Sequence, residues 1–142
     1  MIKFIFNKNK IFAALTILLF ATIVIINTPA VATAADTPMP VDSKRLIGHW
    51  ERPDGGYILE INEILKDGKL KAAYYNPRPI NVARAEFSRK DGALVVYVEL
   101  RDVNYPGSKY NLKYDPVSDK LIGTYFQAVQ GETYSVEFNR SK

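Results

Sequence analysis

From Leu46 onward, apolar and polar residues alternate with a period of two in short stretches rich in Tyr, Val, Ile and Phe, broken by Gly, Pro, Asp and Asn clusters. That pattern predicts eight strands: Leu46 to Arg52, Gly56 to Ile64, Leu70 to Asn76, Asn81 to Lys90, Ala93 to Arg101, Ser108 to Asp115, Lys120 to Val129 and Glu132 to Arg140. Pro53-Asp54-Gly55-Gly56, Lys66-Asp67-Gly68, Asp91-Gly92, Tyr105-Pro106-Gly107-Ser108, Asp115 to Asp119 and Gln130-Gly131 carry turn chemistry. Links this short join antiparallel neighbours.

Alternation also assigns faces. Tyr57, Leu59 and Ile61 share one, as do Leu94, Val96, Val98 and Leu100, then Tyr110, Leu112 and Tyr114, and Tyr134, Val136 and Phe138. In the fourth strand Ala83, Ala85 and Phe87 are read as inward, leaving Arg84 and Glu86 in water. One apolar face per strand favours an all-β, eight-stranded up-and-down meander barrel, because closure removes the exposed edges of an open sheet. An open β-sandwich is the alternative.

Before this pattern the chain reads differently. Lys3, Lys8 and Lys10 precede the apolar run Ile11 to Ile26, and Ala30-Val31-Ala32 and Ala32-Thr33-Ala34 offer cleavage sites, which is the order of a secretory signal helix over residues 1–35. Residues 36–44, with Pro38 and Pro40, read as a linker, and 45–142 as the barrel. Three of the 19 Lys and Arg residues lie in this leader, leaving 16 against 15 acidic residues. A near-neutral domain without a block of like charge gives no reason to expect nucleic acid, and membrane contact is expected only through the leader. The chain has no Cys, so neither a disulfide nor an acylated lipobox is expected. The expected location is periplasmic or secreted.

The start of the domain, Leu46-Ile47-Gly48-His49-Trp50 with Gly56, Asp67-Gly68-Lys69-Leu70 and Tyr74, resembles the opening hairpin of avidin-type barrels. Gly48-His49-Trp50 is also similar to the glycine-any-tryptophan motif of lipocalins, and Leu121 to Tyr125 is similar to a later avidin-type strand. This calycin-like resemblance implies a Trp plugging one barrel end, a cavity for a small ligand, and a basic residue late in the last strand packed over that Trp, here Arg140. Avidin-type biotin sites use several tryptophans, whereas Trp50 stands alone, so biotin is not implied. The chain looks most like a family of small, exported, uncharacterised bacterial barrel proteins, a resemblance that implies fold and compartment and no activity.

Few residues suggest chemistry. His49 is the single histidine and alternates out of phase with Trp50, so it is expected on the surface; no metal site, cofactor or Ser-His-Asp triad is expected from it. Glu60, Glu86, Glu99, Asp102 and Glu137 read as outer-face charges rather than an acid–base pair, and no catalytic residue is assigned. Two proline-stiffened segments, 74–81 and 101–108, are expected as long loops at one end of the barrel. Tyr74, Tyr75, Arg78, Arg101, Asp102, Asn104 and Tyr105 from these loops, with the inward-phased Gln127, are the candidate ligand-binding residues. The expected function is an exported, non-catalytic binding module for a small amphipathic or aromatic ligand, a peptide or a glycan. A structural or protein-interaction domain of the envelope is the alternative.

Overall fold

A computed structural model describes residues 41–141, so the leader and residues 36–40 of the linker lie outside the described residues. The described part is all-β: β1 Gly48–Glu51, β2 Ile58–Ile64, β3 Leu70–Asn76, β4 Arg78–Ile80, β5 Val82–Lys90, β6 Ala93–Asp102, β7 Tyr105–Asp115, β8 Lys120–Gln127 and β9 Glu132–Arg140. These strands form one antiparallel sheet in the order β4-β3-β2-β1-β9-β8-β7-β6-β5. The sheet curls into a nearly closed barrel: β1 pairs with β9 through Trp50 and Arg140, and Lys69, just before β3, makes an isolated bridge to Glu86 of β5. Nine strands replace the expected eight, because Arg78, Pro79 and Ile80 fold back on Tyr74 to Asn76 as a short edge strand. Pro79 is tolerated there because an edge strand need not donate on its outer side.

Most strand bounds shift by one or two residues, and the larger departures from the sequence reading have identifiable reasons. Leu46 belongs to a short 3-10 turn, Ser43–Leu46, capped by the Asp42 carboxylate accepting from the Lys44 amide; with Val41 packed on the core, folded structure includes residues 41–44. Tyr105, Pro106 and Gly107 are strand residues, and the turn begins two residues earlier, at Val103-Asn104. A register shift between Leu100 and Arg101 absorbs the left-handed Gly107 while Pro106 pairs with Arg101, so segment 101–108 is a tight hairpin instead of a long loop. A second shift, between Val82 and Arg84, turns Val82 onto the core and leaves Ala83 exposed, reversing the inward assignment of Ala83. Ala85 is buried, while Arg84 and Glu86 pair with each other outside.

The meander direction sorts the links between two ends. Residues 52–57, Pro77, 103–104 and 128–131 sit at one end, here the mouth. The opposite end carries 65–69, 91–92, 116–119 and the Ser43–Leu46 turn, and there Trp50 is fully buried, its indole Nε1 donating to the Leu46 carbonyl at 2.9 Å. The core between them is aliphatic and aromatic, including Leu59, Val96, Leu112, Leu121 and Phe138. Burial of this kind is the main favourable term in a domain without disulfides.

Candidate functional site

Arg52 follows β1 in phase with Gly48 and Trp50, so its side chain enters the barrel from the mouth, and the residue is 8% exposed. A buried guanidinium requires partners. The turn after it supplies them: Nε and Nη2 donate to the two Asp54 carboxylate oxygens, and Nη1 donates to the Tyr110 hydroxyl at 3.2 Å. The same guanidinium lies 4.4 Å from the centre of the Tyr57 ring and 5.9 Å from that of Tyr125. Burial disfavours its charge, yet these bonds outweigh that and hold the guanidinium protonated, while the Arg52 bond keeps the Asp54 carboxyl below its usual range.

Beneath Arg52 the tyrosines form one polar network. The Tyr110 and Tyr74 hydroxyls are 2.7 Å apart, Tyr110 stacks on Tyr125 at 4.5 Å, and Tyr74 meets Tyr105 edge-on at 6.3 Å. Burial raises the Tyr74 and Tyr125 phenols and pushes Tyr110 up to about 12, so all three stay neutral across the physiological range.

Above the network the mouth opens into a cavity of about 390 Å³. Its walls are five tyrosines, Tyr57, Tyr74, Tyr105, Tyr125 and Tyr134, together with Arg52 and the carboxamides of Asn76, Asn104, Gln127 and Gln130. Several are held in place. The Asn76 amide donates to the Tyr105 hydroxyl at 2.6 Å, the Gln127 carbonyl accepts from the Gln130 backbone amide at 2.6 Å, and the Tyr134 hydroxyl donates to Gln130 Oε1 at 2.7 Å. Ser108, fully buried, accepts from the Ala128 amide and fastens the β8–β9 turn to β7. At neutral pH this mouth presents hydroxyl and amide hydrogen-bonding groups around π faces.

Of the eight residues proposed from sequence, Tyr74, Asn104, Tyr105 and Gln127 line this cavity. Tyr75 alternates to the outer face, where its hydroxyl approaches Glu60. Arg78 is exposed on β4. Arg101 pairs outside with Glu99 at 2.6 Å, and Asp102 accepts from the Asn81 and Val103 amides, closing the hairpin. His49 lies on the outer wall with Nδ1 3.3 Å from Glu60. Arg140 sits at the far end with its guanidinium 4.1 Å from the centre of the Trp50 ring. Sequence reasoning missed Arg52, Tyr57, Asn76, Tyr125, Gln130 and Tyr134. Arg52 was readable from its phase with Trp50 and the Asp54 two residues on; Gln130 sits in a turn, where alternation carries no information.

Among the described residues no three His, Cys, Asp or Glu side chains gather as metal ligands would. Compared with known proteins, the chain matches no family model, no curated protein and no solved structure.

Proposed function

We propose that this barrel is an exported, non-catalytic binding module that takes a small ligand into its tyrosine-lined mouth. The observation that carries the reading is the cavity itself. Its volume lies at the small end of the range for ligand sites, roughly 300–1,000 Å³, and its walls are held by hydrogen bonds before any ligand arrives. Side chains already ordered lose little entropy on binding. The reading brings with it the periplasmic or secreted location, supported by the Lys3 to Lys10 region and the apolar run after it. Kinship with calycin-like barrels is part of the same proposal, supported by Gly48-His49-Trp50 on β1 and by the Trp50–Arg140 stack.

The test is gentle native mass spectrometry of the protein purified from its own cell envelope. A discrete extra mass, lost on denaturation and absent from a Tyr105→Ala variant, supports the reading. A bare chain in both cases overturns it.

One observation favours a second reading, a docking domain of the envelope. Val103, 91% exposed, and Val129, 63% exposed, stand beside the mouth residues Asn104 and Gln130. A stable complex with another chain in the same spectra, lost on Val103→Asp, makes that reading the leading one.

A further inference from the structure

We propose that the ligand of the mouth is an uncharged saccharide, most simply the end of a short glycan chain; this rests on the binding-module reading and narrows it. The argument runs from the chemistry of the walls. A site for a fatty or terpenoid chain needs aliphatic lining, and the side chains facing this cavity include none. A site for an anion needs a cation with charge to spare, and Arg52 is already neutralised by both oxygens of Asp54. Small-molecule sites are in general mostly apolar with a few polar anchors. Here four carboxamides alternate with five phenols, so nearly every wall element both donates and accepts hydrogen bonds.

A sugar ring is the ligand class that answers this combination. Each hydroxyl is at once donor and acceptor, which matches the paired N–H and C=O of a carboxamide and the hydroxyl of a tyrosine. The ring's C–H faces are apolar and flat enough to lie on an aromatic face, and tyrosine supplies that face at a cost of only two side-chain torsions. The mouth has such a face free. Tyr134 is 41% exposed at the rim, and the half-buried Tyr57 ring, with Arg52 over it, lines the wall beside it. Arg52 keeps one N–H on each terminal nitrogen beyond its bonds to Asp54 and Tyr110, enough to point a ring oxygen without adding net charge.

The experiment is an NMR titration of the protein produced from its full chain, with a panel of neutral, N-acetylated and acidic oligosaccharides and with indole-3-acetate and decanoate as aromatic and aliphatic probes. The expected result is saturable shifts at Tyr57, Tyr105 and Tyr134 with an uncharged saccharide. Affinity should fall about tenfold in Tyr105→Ala, with a smaller loss in the gentler Tyr134→Phe. Unchanged Trp50 emission, read from the opposite end of the barrel, shows that each variant folds. Shifts at the mouth from indole-3-acetate, decanoate or acidic sugars alone overturn the saccharide assignment and leave the binding-module reading standing. Silence from every probe overturns the assignment as well, and an accompanying bare chain in native mass spectra takes the binding module with it.

Discussion

The Arg140 guanidinium lies over the Trp50 indole at 4.1 Å, donates to the carbonyls of Ile47 and Arg45, and bonds both Asp119 oxygens, so one side chain ties the last strand, the first strand and the β7–β8 turn together. Gly48 is part of the arrangement, since a Cβ there would stand 2.5 Å from Arg140 Nη1. Arg140→Leu should destabilise the barrel by about 2–3 kcal/mol, through loss of the ring contact and charge-assisted bonds that shape alone does not replace. Urea unfolding followed by Trp50 emission measures this. An unchanged midpoint would show that the cap contributes nothing net.

The Tyr74–Tyr110–Arg52 chain of bonds predicts coupling at the mouth end of the core. Tyr110→Phe leaves the Tyr74 hydroxyl and Arg52 Nη1 each short of a partner inside the barrel, at a cost of about 1–3 kcal/mol. The double variant Tyr74→Phe with Tyr110→Phe should cost less than the two single changes added, because the second change removes a group the first has stranded. Strict additivity in a double-mutant cycle would contradict the network.

At Gly123 a Cβ would stand 2.0 Å from the Asn111 carbonyl oxygen and 2.9 Å from the Leu112 Cα, on the neighbouring strand β7 with which β8 pairs. Backbone on both strands must part to admit it. Gly123→Ala should therefore cost about 3 kcal/mol, at the upper end of overpacking. The same substitution at Gly131, where the surroundings are open and only a positive φ of 72° is at stake, should cost less. Thermal unfolding of the two variants side by side gives the comparison.

Stability should fall in acid as the depressed carboxylates are protonated, two of them held by arginines at opposite ends of the barrel. Hydrogen bonds from Arg140 and Arg52 hold Asp119 and Asp54 below their ordinary range in the folded barrel. A depressed folded pKa means that the stabilisation is complete above the unfolded value, about 3.9, and is lost as pH falls further through the folded values. A series of melting temperatures from neutral pH downward should thus stay flat and then drop below about pH 4. Asp119→Asn should lie lower on the plateau with a shallower acid drop, and because that carboxylate is well exposed, added salt should shrink the difference.

The fold was largely legible because period-two alternation runs cleanly through β6 and β7, where a shift of one residue would turn the whole apolar set to water. Of the ten residues lining the mouth cavity, four were legible. Tyr74 and Gln127 follow from phase, and Tyr105 and Asn104 from a hairpin that the sequence places in the right neighbourhood. Tyr75, Arg101 and Arg78 misled because residue type was weighed above alternation: adjacent residues on a strand face opposite sides, so Tyr74 and Tyr75 could not both line one cavity. The bulges beside Ala83 and Arg101 reset the phase locally, and composition alone does not announce them.

The incomplete pairing between β3 and β5 has a consequence for how the molecule breathes. With Lys69 and Glu86 as the one stitch below β4, and with Ala72, Ala83 and Ala85 offering little side-chain bulk across the gap, the barrel has a place where it can come unzipped. Strands β7 and β8 are flanked by neighbours on both sides and must wait for such an opening. Deuterium should therefore enter the amides along β3 and β5 first and those of β7 and β8 last, so that loss of structure begins as a tear along one line and spreads from there.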